Sequence, residues 1–306
     1  MYKEAIIEIS GNCNLNCVMC GYGARYNTPQ RFMEYDLYTD ILDQLNGNYE
    51  VLRLNGRGES TIHPKFVSFL NYAKSNYPEK RIRLFTNMNY KSRDITRALA
   101  DCSCETMISL DSVDKESLEK IRLGCHYETI IKNIEDLCSM TPLTAIVYTM
   151  QPANFYEAYD VAKFAMEHNC HFFCNAVRNY DMEKDFHLLV EKERTYLLDL
   201  YKELKEMYSA ANGLMLHLPQ QISGVTLDTD IGAMTCSDYG SCPNIGKDIC
   251  ICYDGTVIPC GMFNPCEIGN VKDTPISEIM SSDALEEFVK QQPNNEYCRN
   301  CQYMCK

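Results

Sequence analysis

Three cysteines, Cys13, Cys17 and Cys20, stand in a C-x3-C-x2-C pattern within Gly11-Asn-Cys13-Asn-Leu-Asn-Cys17-Val-Met-Cys20. Three thiolates on one compact loop can hold three irons of a cubane and leave the fourth iron open, because thiolates are the usual protein ligands of iron–sulfur clusters. A structural zinc site wants four Cys or His ligands, so three alone would leave it incomplete. A second group, nine cysteines from Cys236 to Cys305, lies near the other end of the chain. There Asp254-Gly255, between alternating apolar flanks, signals a hairpin that brings Cys242 and Cys260 towards each other. The C-x2-C pair Cys298 and Cys301 would complete a four-thiolate set, with Cys236 and Cys305 as alternative members. Spacing alone does not separate zinc from iron–sulfur at that set. Cys250, Cys252 and Cys266 read as spectators, and Cys102, Cys104, Cys125, Cys138, Cys170 and Cys174 read as small buried hydrophobes.

The elements that must position these thiols alternate. Short β-rich runs are expected at Ala5–Ser10, Val51–Asn55, Ile82–Phe85, Met107–Leu110, Ala145–Thr149 and His171–Asn175. Helical patterns lie between them at Leu37–Leu45, Pro64–Ser75, Ser92–Asp101, Tyr127–Cys138 and Asn154–His168, and a long helix is expected over Val190–Ala211. Repeated strand–helix units predict an α/β fold, a partial (β/α)6 barrel. Its active site would lie at the C-terminal ends of the strands, where the first cysteine loop begins. After Gly213 the texture changes to short Gly-, Pro-, Asp- and Cys-rich segments until a helix at Ile276–Lys290. The expected organisation is a core domain over 1–213 and a small cysteine-rich domain over 232–306.

The triplet, with apolar Met19 before its third cysteine, resembles the hallmark of the radical S-adenosylmethionine (SAM) superfamily. Further segments extend the resemblance. Asn55-Gly-Arg-Gly58-Glu59-Ser resembles the family's Gly-Gly-Glu-Pro segment that contacts the SAM amino group, departing at Arg57 and Ser60. Thr86-Asn87-Met88 resembles its Thr-Asn-Gly turn, with Met88 in place of Gly. Ser109, Asp111 and Arg122 resemble positions that contact SAM ribose or carboxylate. Cys242, Cys260, Cys298 and Cys301 are similar to the twitch form of the SPASM modules, which hold an auxiliary cluster. The resemblance implies a [4Fe–4S] cluster with an open iron, SAM as co-substrate and one auxiliary [4Fe–4S] cluster. It also implies an external one-electron donor such as flavodoxin or ferredoxin. The reaction it implies is reductive cleavage of SAM to a 5′-deoxyadenosyl radical that abstracts hydrogen from substrate.

A four-thiolate auxiliary cluster can accept an electron from a substrate radical, which favours two-electron oxidation, a dehydrogenation of a small polar metabolite. Peptide modification is the alternative, and a non-catalytic metal or redox sensor is a third class. No recognisable peptide-binding wing precedes residue 5, which argues modestly against a leader-dependent peptide maturase, and after Lys306 there is no room for the last cysteine of a full SPASM module. Tyr148, Gln151, Asn175 and Arg178, near strand ends, are candidates for lining a pocket; His63 reads as a loop residue. With 29 basic and 42 acidic residues the net charge is −13, and the basic residues form no stripe, so a nucleic-acid partner is not expected. The acidic N-terminus lacks a signal-peptide pattern and no apolar run approaches membrane-spanning length, so a soluble cytoplasmic protein is expected. At 18 cysteines in 306 residues the chain falls short of a disulfide scaffold, and metal or redox chemistry is the better reading.

Overall fold

The computed structural model describes residues 1–21, 31–177, 180–211, 213–222, 225–227, 242, 245–261, 266–295 and 298. In chain order its strands begin with β1 (Tyr2–Ile7), β2 (Asn16–Cys17), β3 (Tyr49–Arg53), β4 (Arg81–Thr86) and β5 (Glu105–Ser109). They continue with β6 (Arg122–Leu123), β7 (Thr144–Met150), β8 (His171–Ala176), β9 (Leu216–His217), β10 (Gln221–Ile222) and β11 (Val225–Thr226). The last three are β12 (Asp248–Ile251), β13 (Thr256–Ile258) and β14 (Gly269–Asn270). Helices α1 (Tyr35–Leu45), α2 (Phe66–Asn76), α3 (Arg93–Asp101), α4 (Lys115–Ile121), α5 (Tyr127–Cys138) and α6 (Ala158–Glu167) alternate with the barrel strands. Then come α7 (Tyr180–Lys192), α8 (Arg194–Ser209), α9 (Ile276–Ile279) and α10 (Asp283–Gln291).

Local chemistry explains these elements. Helix α1 buries Tyr38, Ile41, Leu42 and Leu45, the stripe of a helix packed on a sheet, and stops at Asn46, whose left-handed φ of 42° turns the chain out. Helix α4, which no periodicity announced, is held by Asp114, whose Oδ1 accepts from Ser117 N at 2.8 Å. Strand β7 is buried along nearly its whole length, as expected of a parallel strand covered on both faces.

By packing, the chain forms two compact units, Met1–Cys13 with Tyr26–Leu84 and Ala233–Lys306, and Asn14–Arg25 with Phe85–Gly232. In the first unit the strand order is β14-β13-β12-β1-β3-β4. Here β1, β3 and β4 run parallel, and β12 joins β1 in parallel, with Glu4 opposite Asp248 and Ile7 opposite Ile251. The β12–β13 hairpin turns at Asp254-Gly255, where Gly255 has φ 91°. In the second unit β5, β7, β8 and β9 are parallel neighbours. Parallel strands each followed by a helix place the chain in the α/β class, as a partial (β/α)6 barrel with a small cysteine-rich C-terminal region.

Several boundaries differ from the sequence expectation. The first strand ends at Ile7 rather than Ser10, because Ser10 already bridges Phe32 in the turn towards the cysteines. The expected helix Val190–Ala211 is two helices, α7 and α8, joined at Glu193. The expected helix Ile276–Lys290 is likewise two, with Ser282 opening the second. Helix α6 begins at Ala158 rather than Asn154, since Pro152–Asn154 forms a 3-10 turn in which the Asn154 side chain is committed elsewhere. Among the described residues no helix is long and apolar enough to cross a membrane.

Candidate functional site

In the first unit the residues around Cys13 are fixed by backbone contact. Gly58 is the point of closest approach, since a Cβ there would stand 2.3 Å from the Asn12 carbonyl oxygen and 2.5 Å from that of Ser10. With glycine in place, Glu59 N donates to Asn12 O at 2.8 Å, which clips the Gly-Glu segment onto the loop entering Cys13. Glu59 is 3% exposed, so it is no solvated loop acid. Its Oε1 accepts from Thr61 N at 3.1 Å and Thr61 Oγ1 at 2.7 Å, capping the following turn.

Both departures from the family segment have local partners. Arg57 makes a two-pronged bond to the fully buried Glu8, Nε to Oε1 at 2.9 Å and Nη2 to Oε2 at 2.6 Å, and Nη2 also reaches Cys252 Sγ at 3.2 Å. Ser60 Oγ donates to Leu54 O at 2.6 Å, a bond no proline could make. Burial pushes the Cys252 thiol up to about 12, the Glu8 charge adds to the rise, and Arg57 opposes it.

In the second unit the ladder of β2 with β6 sets Cys17 opposite Arg122, and Cys20 N closes a turn onto Cys17 O at 3.0 Å. Cys17 is partly exposed and Cys20 exposed. Burial raises the Cys17 thiol, while the Arg122 guanidinium pulls it back. Arg122 Nη2 pairs with Asp111 Oδ2 at 2.7 Å, and Thr149 N donates to Asp111 Oδ1 at 2.8 Å. Asn154 Nδ2 completes this cradle by donating to the Asp111 carbonyl at 2.9 Å. Burial raises the Asp111 carboxyl, against the lowering effect of Arg122 and the Thr149 amide. Ser109 ends β5, half-buried, two residues before Asp111.

The turn after β4 is built as the sequence suggests and by an unexpected residue. Met88 holds the left-handed φ of 56° where the family has Gly, with its side chain fully buried. Its amide donates to Thr86 Oγ1 at 3.1 Å, and Asn133 Nδ2 donates to the carbonyls of Met88 and Tyr90, each at 2.8 Å. Asn87 Nδ2 donates to Asn14 Oδ1 at 2.9 Å and Asn14 Nδ2 to Asn89 O at 2.8 Å, so this turn grips the residue that follows Cys13. Sequence reasoning passed over Asn14, Glu8, Thr149 and Asn154; the asparagines flanking Cys13 were the one available signal.

Of the pocket candidates, Tyr148 belongs to the core, its hydroxyl donating to Asn154 O, while Asn175 is exposed and Arg178 lies outside the described residues. Gln151 is fully buried, and its Nε2 finds no hydrogen-bond partner among the described residues. His63 sits in the bend before α2, a loop position as expected, yet it is buried. Its ring is buried against Phe32 and Phe69, with Nε2 donating to Met33 O at 3.0 Å and Nδ1 accepting from Lys65 N.

In the C-terminal region Cys242, Ile245 and Cys266 pack against a buried pair, Phe288 and Cys298. Two of the four expected ligands, Cys242 and Cys298, thus come together, and Cys266 joins them. Cys260 is partly exposed, close enough to Cys250 for its charge to bear on that thiol. Cys250 and Cys252 sit in a core cluster with Ile6 and Ile258, in keeping with a packing role. Cys301, Cys236 and Cys305 lie outside the described residues. None of the described cysteines is in a disulfide.

The residues fit a cluster with SAM. The three thiols of the N-terminal pattern are reduced and at least partly exposed, and Arg122 Nε, like Gln151 Nε2, is a buried donor with no partner among the described residues. A partial barrel with a cysteine loop after its first strand defines a class of iron–sulfur enzymes that use SAM. Residues 7–165 match the radical SAM superfamily, and residues 242–302 match SPASM, an iron–sulfur cluster-binding domain. The chain belongs to the radical SAM superfamily, with the [4Fe–4S] cluster, SAM and auxiliary iron–sulfur cluster that those two domains carry.

It is 22% identical, over 98% of its length and 87% of the other's, to a tungsten-containing aldehyde ferredoxin oxidoreductase cofactor-modifying protein of Pyrococcus furiosus. It is 26% identical to the mycofactocin maturase MftC of Mycobacterium ulcerans, over 43% of this chain and 35% of that protein. Among solved structures, Streptococcus suis SuiB bound to SAM superposes with a TM-score of 0.73 at 16% identity, over all of this chain and 73% of SuiB. SuiB has also been solved bound to its precursor peptide SuiA.

Proposed function

We propose that this radical SAM enzyme modifies a peptide substrate. The observation that carries the reading is the likeness over the whole chain to SuiB, a protein solved with a precursor peptide, and the match to a maturase supports it. When bound, the cluster and SAM supply a one-electron reductive cleavage and a carbon radical that takes hydrogen from substrate. The chain's own part is to bind and orient. Cys13, Cys17 and Cys20 would be the cluster ligands in this reading, and Gly58 and Glu59 would hold the SAM amino group. Asn87 braces the cysteine loop through Asn14, and Ser109 with the Asp111–Arg122 pair serves the ribose and carboxylate side. Cys242, Cys260, Cys298 and Cys301 hold the auxiliary cluster in a C-terminal domain over 232–306, which follows a core domain over 1–213. Electrons come from a small donor such as flavodoxin or ferredoxin.

A second reading, two-electron dehydrogenation of a small polar metabolite, draws on the likeness to a cofactor-modifying protein over 98% of the chain. The anaerobically reconstituted enzyme, reduced and given SAM, separates the two. Peptide substrates should raise 5′-deoxyadenosine formation and lose mass as they are modified. Stimulation by small polar alcohols alone, with ketone formation, would replace this reading with the second.

A further inference from the structure

Two of the cysteines expected to be inert core residues touch each other. Cys138 closes α5 and Cys170 immediately precedes β8, and their Sγ atoms are 3.1 Å apart. The Thr144 hydroxyl, at the start of β7, stands 3.2 Å from Cys170 Sγ and 3.7 Å from Cys138 Sγ. Both cysteines lie at the strand-entry end of the second unit, whereas Asp111 and Gln151 lie at the strand-exit end. Neither belongs to the cysteine patterns assigned to clusters.

We propose that Cys138 and Cys170 form a reversible dithiol–disulfide site, oxidised by a low-molecular-weight disulfide such as oxidised glutathione. Sulfurs already in contact need about a further 1 Å of approach to reach bonding distance, a shift that side-chain rotation can supply. Exposure assigns the roles. Cys138 is partly exposed, and Cys170 is fully buried behind it. The hydrogen bond to Cys170 holds the Cys138 thiol below the ordinary thiol range, while that same bond raises Cys170. Cys138 is therefore the attacking thiolate and Cys170 the resolving thiol.

The Cys138 thiolate attacks one sulfur of oxidised glutathione, forming a mixed disulfide and expelling one glutathione thiolate. Cys170 then loses its proton to solvent and attacks the Cys138 sulfur, forming the internal disulfide and expelling the second glutathione thiolate. Both expelled thiolates take up protons. The protein loses two electrons and two protons, and oxidised glutathione gains them as two glutathione molecules. The product ties the end of α5 to the entry of β8 across the first residue of β7. None of the described cysteines is in a disulfide, and against that background such a pair reports the redox state of its surroundings.

The test uses the cluster-loaded protein held anaerobically with oxidised glutathione, then alkylated in denaturant and mapped by mass spectrometry. A peptide pair linked through Cys138 and Cys170 is expected, with a rise of about 5 °C in Tm that dithiothreitol reverses. In Cys170→Ser, glutathione should remain on Cys138, and in Cys138→Ser, Cys170 should stay unmodified. If either variant fails to fold, the wild-type map decides alone. Full alkylation of both residues, or a wild-type Cys138 stalled as its glutathione adduct, would overturn the proposal. Because the readout is a covalent link rather than turnover, it stands or falls independently of the peptide-modifying reading.

Discussion

The Asp111–Arg122 pair shows how much one buried contact decides. Asp111 is fully buried, and its partner is the residue laddered to Cys17, so the pair fixes both the strand-exit carboxylate and the chain beside the cysteine loop. Removing one partner of such a pair strands the other charge, which costs about 3–5 kcal/mol, whereas replacing both with apolar groups of similar size is often near neutral. Asp111→Asn should therefore lower Tm more than the double variant Asp111→Leu/Arg122→Met, measured by circular dichroism under anaerobic conditions. A double variant less stable than the single would mean that the ion pair itself holds the site together. The same double variant should still lose SAM binding if Arg122 Nε, which has no partner among the described residues, serves SAM.

At the scale of elements, the turn after β4 sets two effects against each other. Met88 at φ 56° carries about 1 kcal/mol of backbone strain that glycine would relieve. Its fully buried side chain contributes more, since truncating a buried Met costs roughly 2–5 kcal/mol. Burial wins, so restoring the family's glycine with Met88→Gly should destabilise the protein by about 1–4 kcal/mol, read as a lowered midpoint in urea. A stabilised variant would show that the turn tolerates strain without using the packing. Such a turn illustrates what was legible in sequence: Thr86-Asn87 marked it, and Tyr127–Cys138 was delimited to the residue by its apolar period. What stayed hidden depended on partners far along the chain. Arg57 reads as a departure until Glu8 and Cys252 appear beside it, and α4 is too short for periodicity to register. The packing of Cys266 against Phe288 and Cys298 was hidden likewise, since neither is its sequence neighbour.

For the whole molecule, the two cysteine regions make separate claims on iron. On the proposed ligand sets, Cys13, Cys17 and Cys20 in one and Cys242, Cys260, Cys298 and Cys301 in the other, the reconstituted protein should hold about eight irons, two cubanes of four, and the variant with Cys13, Cys17 and Cys20 all replaced by Ala about four. Iron and acid-labile sulfide assays check this. A triple variant that still binds eight irons would remove the N-terminal triplet from cluster binding. The pairing of β1 with β12 also bears on how the chain reaches this state. Glu4 finds its partner Asp248 only 244 positions further along the chain, whereas the other neighbour of β1, Tyr49–Arg53, arrives early. During synthesis, then, β1 waits with one edge unpaired while most of the polypeptide emerges. Closing so long a loop is slow, and an open strand edge invites pairing with another chain. The segment that makes up the cluster-binding region also closes the first sheet, so a ribosome that stalls before residue 248 releases a sheet with an unsealed edge.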